Sequence, residues 1–247
     1  MISVNNYCLF ILFINIICFK FVNKVILSHH IYMHNIVKNL LDIQNNIKDY
    51  LAKSETKKLT KVIAVSKTFD IQKILPLINY GHLDYGENKV QEAIEKWTEI
   101  KKNNKEIKLH MIGRLQTNKV KFAVQIFDYI HSVDSEKLAK KIADEQSKIN
   151  KKIKIFLQVN IGDENQKSGI NKNDINKLVS FCNDLKLEVI GLMCIPPIKN
   201  NPEEYFIEMK KLNHQYGFTE LSMGMSSDYI KAVKNHSTFV RIGSSIF

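Results

Sequence analysis

From Lys61 onward the chain alternates without a break between short apolar runs and segments of helical spacing, and no other feature narrows its fold so far. The apolar runs are Val62–Ser66, Leu83–Gly86, Leu109–Gly113, Tyr129–Val133, Ile155–Ile161, Glu188–Cys194, Leu221–Met225 and Thr238–Ile242. Between them, Ile71–Asn79, Val90–Lys101, Ser135–Asn150, Asp174–Leu185 and Pro202–Tyr216 repeat apolar residues at helical intervals. Asp70, Thr117, Asp134-Ser135 and Asn173 are helix-start signals, because a short oxygen-bearing side chain accepts from the first free backbone N–H groups. Most β runs are continuous rather than alternating, the pattern of strands covered on both faces of a parallel sheet. Eight such strands interleaved with helices predict an α/β protein with a single (β/α)₈ barrel. An open doubly wound sheet is disfavoured, since the first strand ends Val65-Ser66-Lys67-Thr68 without the glycine loop that cradles a dinucleotide. There is no internal repeat and no low-complexity linker, so residues 33–247 read as one domain.

Residues 1–32 stand apart. They contain no acid and two cations, Lys20 and Lys24. The stretch Cys8–Phe19 has the length of a signal-peptide apolar region and is short for a membrane span. It lacks a basic flank and a small-residue cleavage site. Three readings stay open: a leader to the secretory path or an organelle, a membrane anchor, or an extension upstream of the true start. Met33 opens a polar-amphipathic helix (MHNIVKNLLDIQNNIKDYLAK), so residues 1–32 are set outside the fold. The expected location is the cytoplasm, or an organelle if the leader is genuine.

The net charge of +11 raises nucleic-acid binding, but 36 basic residues include only two arginines, Arg114 and Arg241. Recognition of bases and phosphates favours the guanidinium fork, and lysine is spread here through loops of no evident role. A dedicated nucleic-acid partner is therefore not expected. The same argument makes the two arginines informative, because each lies in a glycine-bearing motif where a planar donor can be required. Four cysteines, two of them in the first twenty residues, are too few for a disulfide scaffold. Cys182 and Cys194 have no metal-ligand spacing, and no metal site is expected.

In a barrel the C-terminal ends of the strands form the working rim. That rim would carry Lys67, Gly86-Glu87-Asn88, Gly113-Arg114 with Gln116 and Asn118, Asn160 with Gly162, Pro196-Pro197, Gly224-Met225-Ser226 and Gly243-Ser244. Lys67 ends a strand of Val62-Ile63-Ala64-Val65, so its stem is expected to emerge from the barrel core, a setting that suits Schiff-base chemistry with an aldehyde. Ser226 and Gly243-Ser244 end the seventh and eighth strands, where backbone N–H groups and hydroxyls recurrently hold phosphate. An amine at strand one beside a phosphate cradle at strands seven and eight fits pyridoxal 5′-phosphate (PLP).

Seven motifs, VIAVSK (Val62–Lys67), YGENKVQEA (Tyr85–Ala93), HMIGRLQTNK (His110–Lys119), VNIGDENQKSG (Val159–Gly169), GLMCIPP (Gly191–Pro197), LSMGMSSD (Leu221–Asp228) and VRIGSSIF (Val240–Phe247), resemble the YggS/PROSC family of PLP homeostasis proteins. The resemblance runs in order from about Lys61 to Phe247, and the family is similar in fold to the N-terminal barrel of alanine racemase. It implies that Lys67 forms an internal aldimine with PLP, and that Ser226, Gly243 and Ser244 hold the phosphate. Arg241 would face the pyridine nitrogen, with Asn88, His110, Asn160 and Met193 lining the pocket. It also implies a monomer that carries PLP for apo-enzymes without a turnover of its own. Two departures stand out: Ser244 replaces a frequent threonine, and the chain stops at Phe247, short of the usual tail. The alternatives are a PLP-dependent amino-acid racemase, which needs acid/base groups on both faces of the substrate, and a basic polyanion-binding module.

Overall fold

The computed structural model describes residues 34–54, 58–164, 166, 168–197 and 200–247; the apolar segment 1–32 lies outside them. Helix α1 (Asn35–Ala52) precedes a strict alternation: β1 (Lys61–Val65), α2 (Ile71–Tyr80), β2 (Asp84–Glu87), α3 (Val90–Asn103), β3 (Lys108–Met111), α4 (Val120–Ile126), β4 (Tyr129–Val133), α5 (Glu136–Lys148), β5 (Lys154–Val159), α6 (Ile175–Asp184), β6 (Glu188–Cys194), α7 (Pro202–Gln215), β7 (Glu220–Ser222), α8 (Tyr229–Lys234) and β8 (Phe239–Ile242). The strands pair in sequence order, all parallel, and close into the expected barrel. Closure is made by β1 against β8, with Ile63 opposite Arg241 and Ala64 opposite Ile242.

Local chemistry sets the helix starts. Asp70 accepts from the Lys73 N–H at 3.1 Å, and Ser135 accepts from the Leu138 N–H at 3.4 Å, so both cap as expected. Asn173 does not cap. It sits inside a 3₁₀ turn, Lys172–Asp174, that leads into α6 without a side-chain cap. Thr117 likewise opens a 3₁₀ turn, Thr117–Lys119, which runs into α4.

Two apolar layers result. The outer one joins strand residues such as Val62, Tyr85 and Leu109 to helix residues such as Leu77, Trp97 and Phe206. The inner one gathers Ile63, Tyr129, Phe156, Met193 and Phe239 from five strands. His110, His131, Ser222 and Arg241 share the barrel interior as buried polar residues, and their rings and hydrogen bonds are described below.

α1 has a particular place. It buries Ile36, Val37, Leu40, Ile43 and Ile47 along one stripe, each worth about 1.5–3 kcal/mol of transfer free energy. It packs against α2 and α8, while Asn39 Nδ2 donates to the Ile246 carbonyl at 3.0 Å and Asn46 Nδ2 to the Tyr229 hydroxyl at 3.2 Å. It therefore covers the seam where β8 meets β1. Among the described residues no helix is long and apolar enough to cross a membrane.

Candidate functional site

The mouth formed by β7, β8 and β1 brings together Ser226, Gly243, Ser244 and Lys67. A Cβ at Gly243 would lie 3.3 Å from the Val65 carbonyl oxygen, two residues before Lys67, and the Arg241 N–H donates to the Gly224 carbonyl at 3.0 Å. The three loops are thus contiguous. Gly224 is required there: its φ is +91°, and a Cβ would lie 2.5 Å from the Cβ of Ala232. Among the described residues, the hydroxyls and backbone N–H groups of Ser226, Ser227, Ser244 and Ser245 have no protein acceptor. These are free donors on adjacent loops at one end of the barrel. Lys67 is exposed, on a turn beyond the strand rather than on a stem rising from the core. Its ammonium makes no hydrogen bond or ion pair among the described residues.

Lys67 is free, but its two neighbours are fastened. Ser66 donates through its backbone N–H to the Gly86 carbonyl at 3.0 Å, and through its hydroxyl to Glu87 Oε1 at 2.7 Å. Thr68, held at φ +65°, donates its N–H to Glu92 Oε1 at 2.6 Å. Lys96 Nζ unites them, donating to the Ser66 carbonyl at 2.9 Å and to Glu87 Oε1 and Glu92 Oε1 at 3.0 Å each. Trp97 Nε1 adds a bond to Glu87 Oε1 at 2.9 Å. The burial of Glu87 and Lys96 at 0% and 7% side-chain exposure makes this a desolvated clamp rather than a surface pair. Bonds to both Glu87 and Glu92 hold Lys96 in register with the turn.

Arg241 lies under the mouth at 4% exposure. Its Nη1 donates to Ser222 Oγ at 2.7 Å and its Nη2 to the Cys194 carbonyl at 2.8 Å, so the guanidinium reaches across from β8 to the end of β6. Below it the polar contacts continue. Ser222 Oγ is 2.9 Å from His131 Nδ1, His131 Nε2 is 3.0 Å from His110 Nδ1, and His110 Nε2 is 3.0 Å from Asp84 Oδ1. Burial pushes the pKa of His110 below the ordinary imidazole value against the pull of Asp84, and burial with His110 and Arg241 nearby pushes His131 well below it. Burial opposes ionisation of Asp84, but the His110 bond and charge outweigh it and hold its carboxyl below the usual range.

Of the remaining expected residues, Asn88 and Asn160 line one cavity of about 280 Å³ with Arg114 and Gln158, while His110 and Met193 lie in the barrel interior. Asn88 is half-buried at the rim, and the close approach of Gly113, where a Cβ would fall 2.5 Å from the Asn88 carbonyl oxygen, packs the β2 and β3 loops together. Asn160 uses both ends of its amide on its own loop, donating to the Glu164 carbonyl at 3.0 Å and accepting from the Glu164 N–H at 3.2 Å. Met193 belongs to the inner apolar layer. His110 lies deeper than the mouth, with His131 and Ser222 between it and Arg241. Asn88 and exposed Arg114 line a cleft of about 730 Å³ with Gln91, Thr117 and Ser135, beside the Lys67 mouth rather than in it. Sequence reasoning missed Asp84, His131, Ser222 and Lys96. His131 and Ser222 lie in strands that carry further polar residues, Ser132 and Glu220, so the sequence did not mark them as inward-facing.

The donor set fits PLP: an unpartnered amine, free N–H and hydroxyl donors on adjacent loops for a phosphate, and a buried guanidinium beneath them. The fold and this mouth define a barrel of the alanine racemase N-terminal class, and residues 39–247 match the family described as "Alanine racemase, N-terminal domain". An alanine racemase from Clostridium difficile 630 has the same fold (TM-score 0.64, 16% identity), with 87% of this chain aligned to 56% of that one. Closer relatives are homeostasis proteins. The pyridoxal phosphate homeostasis protein of Aquifex aeolicus is 36% identical over 197 residues, 76% of this chain and 86% of that protein. PipY of Synechococcus elongatus PCC7942, solved with PLP bound, matches at TM-score 0.72 and 32% identity, over 81% of this chain and 99% of that one. This chain belongs to the pyridoxal phosphate homeostasis protein family.

Proposed function

We propose that this chain binds PLP reversibly as a Schiff base on Lys67 and serves PLP homeostasis, holding the aldehyde and releasing it without a catalytic turnover of its own. Arg241 carries the reading. A guanidinium has donors only and accepts no proton, so opposite the pyridine nitrogen it leaves that nitrogen unprotonated. When bound, PLP supplies an electrophilic aldehyde and a ring whose electron withdrawal is weakened by such a partner. That suits a carrier better than carbanion chemistry. Ser226, Gly243 and Ser244 hold the phosphate through the free donors at the ends of β7 and β8. Asn88 borders the mouth, Met193 contributes to the apolar floor, and Asn160 shapes the loop after β5. His110 acts on the pocket from below, through Arg241. The exposed Lys67 turn lets water or an incoming amine reach the carbon–nitrogen bond.

The carrier works as a cytoplasmic monomer that hands PLP to apo-enzymes. The racemase alternative has less support: the homeostasis relatives align over nearly their whole length, whereas the racemase aligns over little more than half of its own. The deciding experiment is the visible spectrum of the purified chain with PLP, before and after borohydride, beside Lys67→Ala. A yellow band lost on reduction, with a pyridoxyl adduct on the Lys67 peptide, supports the reading. A wild-type chain that takes up no PLP, or equal reductive labelling of Lys67→Ala, refutes it.

A further inference from the structure

The buried contacts beneath Arg241 have a direction. Arginine only donates, so Ser222 Oγ accepts from Nη1 at 2.7 Å. The hydroxyl proton of Ser222 is then available for His131 Nδ1 at 2.9 Å. If His131 is bare at Nδ1, its proton is on Nε2 and points to His110 Nδ1 at 3.0 Å. His110 in turn carries its proton on Nε2, facing Asp84 Oδ1 at 3.0 Å. The lower end imposes the same order independently. An ionised carboxylate accepts only, so His110 must present Nε2–H to Asp84, and a neutral His110 is then bare at Nδ1. Reversing the order would need a protonated Asp84 or a doubly protonated His110, and burial disfavours a charged imidazole there.

Packing fixes the rings in this arrangement. Tyr129 stacks on His110 at 4.3 Å between centroids, and Phe156 stacks on His131 at 4.2 Å. Phe239 closes the side, edge-on to His131 at 6.0 Å. His110, His131 and Ser222 are 0% exposed, so bulk solvent does not compete for these contacts. The arginine end does not release a proton, so the chain orients and does not conduct.

We propose that Asp84, His110, His131 and Ser222 are positioning residues that act through Arg241: a one-way hydrogen-bond chain across the barrel gives the guanidinium a fixed acceptor in Ser222 and so fixes its orientation. Asp84 lies at the opposite end of the barrel, with its side chain 17% exposed. The floor of the PLP mouth is therefore set from the far side of the fold. The consequence for PLP rests on the function proposed above; the chain itself does not.

Side-chain ¹⁵N NMR of the cofactor-free full chain reads the arrangement directly and requires no variant to fold. At neutral pH both His110 and His131 are expected to be neutral, protonated at Nε2 and bare at Nδ1. In Asp84→Asn the terminal acceptor is neutral and its amide can also donate, so the tautomers are expected to mix. PLP affinity then falls by about 2- to 30-fold, the range found when a network residue without ligand contact is changed, and Asp84→Glu restores both signals. An Nδ1–H tautomer or an imidazolium in the wild type overturns the proposal. So does an Asp84→Asn variant whose tautomers and PLP dissociation constant match the wild type. A wild-type chain that binds no PLP refutes the carrier reading instead, and the tautomer spectrum still decides the chain.

Discussion

Lys96→Met is the sharpest test of how the Lys67 turn is held. Lys96 Nζ makes three hydrogen bonds of 2.9–3.0 Å, to the Ser66 carbonyl, Glu87 and Glu92. Glu87 is fully buried, and its Oε2 already lacks a partner. Methionine keeps the stem volume and removes the charge, leaving a desolvated carboxylate uncompensated. Breaking one side of a buried pair costs about 3–5 kcal/mol, a large part of the roughly 5–15 kcal/mol total for a folded domain. For a chain of this size each kcal/mol moves Tm by about 2–4 °C, so the midpoint should drop by about 6–20 °C. Glu87→Gln keeps an acceptor for Ser66 and Trp97 while removing the charge. The double variant should therefore recover about 2 kcal/mol of the loss, a coupling measurable in a double-mutant cycle by urea unfolding. A Lys96→Met protein within about 0.5 kcal/mol of wild type, or strict additivity in the double variant, would refute the clamp.

Three further outcomes follow from particular contacts. Gly224→Ala places a Cβ 2.5 Å from Ala232 at φ +91°, so calorimetry should find a loss of about 2 kcal/mol or more; an unchanged Tm would contradict the fit. His131→Gln should flatten the acid limb of stability. The unfolded imidazole takes up a proton near 6.5 while the buried one stays neutral, so stability falls as pH drops below 6.5 by about 1.4 kcal/mol per pH unit for that group. Urea titrations at pH 7 and 5.5 should show that slope missing from the variant, and equal slopes would mean that His131 titrates normally in the fold. PLP at a hundred times its dissociation constant should stabilise the wild type by about 2.7 kcal/mol. Lys67→Ala should show much less of this effect in a thermal-shift series, and equal stabilisation of both would remove Lys67 from the site.

The barrel was legible because its strands are apolar on both faces and its helices carry their own start signals. Strand ends were less so, for reasons that lie in tertiary contacts. The apolar run through Ile161 stops pairing at Val159 because Asn160 folds back on Glu164. The run to Met225 stops at Ser222, just before the chain turns through Gly224. At the mouth, Ser226, Gly243 and Ser244 stood out by their glycine-bearing strand ends and Lys67 by closing an apolar strand, and the fold places all four at one end of the barrel. Asp84, His131 and Ser222 could not be read, since Tyr129-Ile130-His131-Ser132-Val133 gives no sign that His131 will meet residues from β3 and β7. Lys96 was hidden among many lysines, and only the fold shows that it is buried.

The seam under α1 bears on the order in which the protein comes into being. β1 and α1 leave the ribosome early, yet their partners are β8, α8 and Ile246. Until those arrive, β1 has an unpaired edge and α1 an uncovered apolar stripe, the surfaces that invite wrong association in nascent chains. Lys67, Arg241 and Ser244 lie on the two sides of the same seam. On the function proposed above, uptake of cofactor would have to wait until β8 has joined β1, and a chain lacking β8 would carry the lysine without the cradle.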